Sequence, residues 1–118
     1  MCYIHMGDAA SNALKKGSLE MLVLALLEDG SRHGYEIGKL IEQRSERTLR
    51  YHVASLYPTL YGLERRGLVQ GNWGFAKNGR KRRCYRLTPG GRRVLAEQRS
   101  RWRAFVSAVD RIAKVRYA

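Results

Sequence analysis

Cysteine, proline and phenylalanine each occur only twice in 118 residues, and ten acidic residues face 23 lysines and arginines. Two cysteines cannot build a disulfide framework. Cys2 and Cys84 stand in no metal-ligand spacing apart from the unpromising Cys2/His5 pair, so reduced thiols and no metal are expected. No apolar run reaches the roughly 18 residues that span a bilayer. The longest, Met21 to Leu27, reads as a core segment. The N-terminus lacks the basic-then-apolar layout of a signal peptide, which points to an intracellular, cytoplasmic protein. His5-Met6 has the look of a cloning junction, and residues 1–12 are read as a disordered tail or such a remnant. There is no glycine-rich phosphate loop after a strand and no triad with a base in reach. A non-enzyme without cofactor follows. His33 and His52 stand alone, and His33 reads as a cap or packing residue of a helix.

What is present is positive charge, unevenly placed. Residues 1–60 hold seven cations and seven anions, whereas residues 61–118 hold sixteen cations against Glu64, Glu97 and Asp110. The whole net charge of +13 therefore belongs to the second half, which implies a nucleic acid or an acidic membrane as partner. The densest stretch runs from Lys77 to Arg86 and contains no anion. Asn78-Gly79 lies within it, between strand-like residues (Leu68, Val69, Trp73, Phe75, then Tyr85, Leu87). Because both turn residues tolerate positive φ, the pattern predicts a β-hairpin. A charge run is commonly just a solvated loop; the asymmetry of the chain argues for a cationic wing instead.

Hydrophobic periodicity orders the rest. Leu19, Leu22, Val23, Leu26 and Leu27 predict a nearly surrounded helix from about Leu14 to Asp29, stopped by Gly30. A second helix opening between Ser31 and Gly34 turns Tyr35, Ile37, Leu40 and Ile41 inward, followed by a turn or frayed end over Ser45 to Arg50. The third is expected over Ser55 to Arg66 and ends at Gly67. Ser55 serves as its N-cap, and Pro58 falls in a first turn that tolerates a missing N–H. Leu56, Leu60 and Leu63 form its apolar stripe, while Ser55, Pro58, Tyr61, Gly62 and Arg65 share the opposite side. Thr88 and Pro89 open a last helix of roughly 28 residues, as N-cap and first residue. Leu95, Trp102 and Val109 recur every seven residues along it, with Phe105, Val106 and Ile112 between. Such a seam exceeds what one small core covers and points to a second copy of the chain.

The fold expected is mostly α: a winged helix-turn-helix over residues 13–88, with three helices and a two-stranded wing. A long dimerisation helix over residues 89–118 completes it. In such folds the third helix enters the major groove and the wing reaches the backbone or minor groove. Candidate DNA contacts are Ser55, Pro58, Tyr61 and Arg65 on the third helix, with Arg50 before it. Lys77, Asn78, Arg80, Lys81, Arg82 and Arg83 supply the wing.

With these pieces in order, the chain resembles the PadR family of bacterial transcriptional regulators. The resemblance rests on Leu14-Lys15-Lys16-Gly17-Ser18-Leu19-Glu20-Met21-Leu22-Val23-Leu24, His33-Gly34-Tyr35-Glu36-Ile37 and Ser55-Leu56-Tyr57-Pro58-Thr59-Leu60. It continues through Leu63-Glu64-Arg65-Arg66-Gly67-Leu68-Val69 and Tyr85-Arg86-Leu87-Thr88-Pro89-Gly90-Gly91-Arg92. Each motif is weak and the set is specific. It implies a winged-helix homodimer that binds operator DNA, usually represses, and is released by a small molecule or stress signal. Tyr57 becomes a candidate through its place in the motif. Ala54 stands where the family often has glycine, and Cys84 where an aromatic is common. Arg50, Tyr51 and His52 add basic and aromatic residues before the third helix.

Two other partners fit the charge. A membrane surface would use the arginines flanking Trp102 and Phe105, but the heptad seam suits a helix better. RNA would need aromatic residues on strands, and Trp73, Phe75 and Tyr85 read equally well as packing. Trp102 is also a candidate wall of an inter-subunit ligand cavity, beside its plainer reading as an interface residue.

Overall fold

The computed structural model describes residues 9–115, with side chains from Gly17 onward. Cys2, His5 and most of the expected tail lie outside the described residues, as does the C-terminal end of the last helix's expected span. The elements are α1 (Ala9–Leu26), β1 (Arg32–His33), α2 (Gly34–Arg44), α3 (Val53–Arg65), β2 (Val69–Phe75), β3 (Lys81–Leu87) and α4 (Pro89–Ala113). Helix α1 begins inside the stretch read as tail, so residues 9–12 are helical. It ends three residues earlier than expected, in a turn where the Glu28 N–H bonds back to Ala25 O.

The three helices form because their apolar stripes close on one another. Leu19, Val23 and Leu24 of α1 with Leu27 just beyond it, Ile37 and Ile41 of α2, and Leu56, Leu60 and Leu63 of α3 are buried together. Truncating a fully buried leucine such as Leu60 to alanine typically costs about 2–5 kcal/mol. His33 caps α2, its Nδ1 accepting the Glu36 N–H at 3.2 Å. Tyr35, expected inside, is instead mostly exposed with Lys39 over its ring, because it sits in the first turn beyond the buried Gly34. The turn after α2 places Glu46 and Arg47 at positive φ.

Helix α3 differs from expectation at its start. Its N-cap is His52, which makes no side-chain capping bond, and Ser55 is the third helical residue. Pro58 therefore lies inside the helix and leaves the Ala54 carbonyl without its usual N–H partner. The added first turn, Val53 to Ser55, is exposed throughout, so the earlier start lengthens the helix without adding to its buried stripe. At the other end Gly67, at φ +73°, lets the Leu68 N–H return to Leu63 O at 3.0 Å, a Schellman closure.

The sheet has three strands in the order β1-β3-β2, all antiparallel. The wing thus gains a two-residue strand not foreseen, with Arg32 and His33 opposite Tyr85 and Cys84. Between β2 and β3 the Ala76 N–H bonds to Arg80 O and the Gly79 N–H to Ala76 O. Only Gly79 takes positive φ; Asn78 supports the turn by accepting the Arg80 N–H at its Oδ1, 3.0 Å away. Thr88 caps α4 as expected, accepting the Gly91 N–H at 3.0 Å while its hydroxyl donates to Gly67 O at 2.7 Å. Leu95 anchors α4 in the common core, and Arg99 ties it to Glu28 through two hydrogen bonds of 2.9 Å.

Candidate nucleic-acid interface

Because Leu56, Leu60 and Leu63 point inward, α3 turns Ser55, Pro58, Tyr61 and Arg65 to solvent. Tyr57 is half-buried, its ring 6.2 Å from that of Tyr61. Gly34 makes room for it: a Cβ there would lie 2.6 Å from Tyr57 Cε1. The start of α2 thus fixes an aromatic pair on α3.

The wing stands beside that pair. Tyr57, Tyr61, Trp73 and the run Arg80 to Arg83 line one cleft of about 770 Å³. Lys77, Asn78, Arg80 and Lys81 are exposed at its tip. The side chains of Lys77 and Arg80 have no partner among the described residues, which leaves their charge available to a polyanion. Arg82 and Arg83 are more enclosed. Arg82 Nη1 lies 3.4 Å from His33 Nε2. Neutral imidazole offers only one acceptor nitrogen, and Nδ1 already serves Glu36, so the two contacts compete.

Arg83 departs from the reading of a free phosphate contact. Its guanidinium bonds the Glu64 carboxylate on α3 and lies over the rings of Trp73 and Tyr85, 5.4 and 5.9 Å from their centroids. The hydrogen bond to Glu64 is the main reason its pKa rises above the ordinary arginine value. Arg50 is likewise paired, with Glu42 at 2.9 Å, although both stay exposed enough to exchange partners.

Trp73, read from the sequence as a strand residue that packs or stacks on RNA, is not among the DNA-contact candidates. Register places Val69, Gly71, Trp73 and Phe75 on one face of β2, opposite Leu87, Tyr85, Arg83 and Lys81. The base of that face is core, but Trp73 and Phe75 extend past it and remain 61% and 78% exposed. Alternation from Val69 was the available signal; where the core ends was not legible.

On α4, Leu95 is 1% exposed inside its own chain. This corrects its assignment to an intermolecular seam: the first two turns of α4 belong to the domain. Trp102, Phe105 and Ile112 are exposed, with Val106 and Val109 half-buried. Trp102 and Phe105 rings lie 5.9 Å apart.

Residues 23–97 match the family described as "Transcriptional regulator PadR-like family". The chain is 30% identical over 95 residues to protein X of Lysinibacillus sphaericus, covering 80% of this chain and 87% of that one. It is 38% identical over 74 residues to a transcriptional regulator of Mycobacterium tuberculosis, covering 63% of this chain but only 55% of that protein. Among solved structures, a PadR family transcriptional regulator from Eggerthella lenta superposes with a TM-score of 0.75 at 28% identity, with 91% of each chain covered.

Proposed function

The chain belongs to the PadR-like family of transcriptional regulators, and on that premise we propose that it is a sequence-specific, double-stranded DNA-binding repressor acting in the cytoplasm as a homodimer. One observation carries the reading: the aromatic pair of α3 and the cations of the wing line the same cleft. A duplex fits this division of labour. Helix α3 presents Ser55, Pro58, Tyr61 and Arg65 to the major groove, with Tyr57 beside them. Lys77, Arg80 and Lys81 follow the phosphates of the adjacent strand, while Arg50 and Arg82 need only leave weak partners to join them.

The dimer rests on the exposed Trp102, Phe105 and Ile112, with Val106 and Val109 completing the surface. Monomers rarely leave such a patch uncovered. Release by a small molecule or stress signal belongs to the same proposal, with Trp102 in the wall of the inter-subunit cavity.

Exposed Trp73 and Phe75, interleaved with cations, favour a second reading in which bases of single-stranded RNA stack on the strand. Titration with duplex DNA, single-stranded RNA and anionic vesicles at two salt concentrations separates the readings. Tightest binding to duplex, weakened by salt, supports the proposal. Equal or tighter binding to RNA or vesicles sinks it.

A further inference from the structure

The exposed indole of Trp73 has no place in an account built on α3 and wing charge alone. Its position is not accidental. Lys81 Nζ lies 5.0 Å and Arg83 Cζ 5.4 Å from its centroid, close enough for cation–π attraction to hold the ring. Arg83 is placed in turn by Glu64, which projects from α3. Glu64 is the one acidic residue between Glu46 and Glu97, so the most cationic half of the chain commits its local carboxylate to this contact. Gly71 leaves the guanidinium its room: a Cβ there would come within 2.8 Å of Arg83 Nε. Glu64, Arg83 and Trp73 thus form a continuous link from α3 to the wing, ending in an apolar ring that borders the cleft.

We propose that Trp73 is a direct DNA contact, packing its ring on the sugars beside the groove that α3 enters, and that Arg83 and Glu64 are positioning residues for it. The inference rests on the DNA-binding reading above. Sugar contacts carry no charge and add to phosphate contacts in setting orientation. Arg83, neutralised by Glu64, then contributes nothing to the salt dependence, unlike Lys77 or Arg80.

The two tryptophans allow a direct test. Protein labelled with 5-fluorotryptophan gives two fluorine resonances, and Trp73→Phe assigns the wing signal. On adding a duplex selected from a random pool, the Trp73 resonance is expected to shift and lose its solvent isotope effect. Arg83→Gln should leave the slope of log K against log salt unchanged while shrinking that shift and weakening selectivity. Glu64→Gln releases a cation to the phosphates, so the slope steepens by about 0.9 and selectivity over random duplex falls. Thermal unfolding followed by circular dichroism checks the folding of each variant; should Glu64→Gln unfold, the wild-type resonance and Arg83→Gln decide. A Trp73 signal unmoved at saturating duplex, or an Arg83→Gln slope flattened by about 0.9, overturns this inference alone. A wild type that binds no duplex overturns the DNA reading, and this inference with it.

Discussion

Gly91 shows how much a single atom matters where the wing returns to α4. A Cβ there would lie 2.1 Å from Leu68 O and 2.6 Å from Leu87 Cδ1, and a backbone carbonyl cannot step aside as a side-chain tip can. Gly91→Ala should therefore destabilise the fold by about 1–3 kcal/mol in urea unfolding, the ordinary cost of overpacking; an unchanged midpoint would contradict the close approach. The wing tip makes the opposite case, because the exposed side chains of Lys77 and Arg80 have no hydrogen-bond or ionic partner among the described residues. Replacing both by alanine should leave stability unaltered. It should also flatten the salt slope for any duplex by about 0.9 for each phosphate no longer neutralised. An unaltered slope would show that these cations do not meet phosphate. Charge was legible in the sequence at these positions, since composition alone marks them. The pairing of Arg83 with Glu64 was not, because it joins residues 19 apart through a strand register that only the folded sheet defines.

Elements with a long, regular stripe were readable, as Leu56, Leu60 and Leu63 of α3 and Ile37 and Ile41 of α2 show. Strand β1 was not: two residues carry no period, and they become a strand only by pairing with Tyr85 and Cys84. The start of α3 misled because Ser55 has the chemistry of a cap, yet the helix already begins at Val53. Helix α4 divides into a first part docked on its own domain and a second part that leaves Trp102, Phe105 and Ile112 exposed. The join is the Arg99–Glu28 pair. Arg99 lowers the Glu28 pKa below its ordinary 4.5, chiefly by hydrogen bonding to the carboxylate. A lowered carboxylate pKa stabilises the folded state above the unfolded value, and that contribution fades as the pH falls through the folded one. Wild type should accordingly exceed Arg99→Gln in stability at neutral pH, with the gap closing below pH 4.5. A gap independent of pH would show that Arg99 acts by packing rather than charge.

At the scale of the whole molecule, all net charge lies in the half that carries the wing and α4, while the bare apolar surface lies at the far end of α4. Under the proposed function, a wing that gathers non-specific affinity and a helix that pairs two copies would divide the task of operator binding. Converting both Trp102 and Phe105 to charged residues should give folded monomers by sedimentation, with operator affinity abolished although α3 and the wing are intact. Dimers persisting in that variant would move the interface elsewhere. Paired, sequence-specific reading of duplex DNA is the central proposal, and selection of bound sequences from a random duplex pool tests it most directly. It predicts enrichment of an inverted repeat whose half-sites lie about one helical turn, roughly 34 Å, apart. A bound pool that stays random, or one that converges on a single unrepeated half-site, would contradict it.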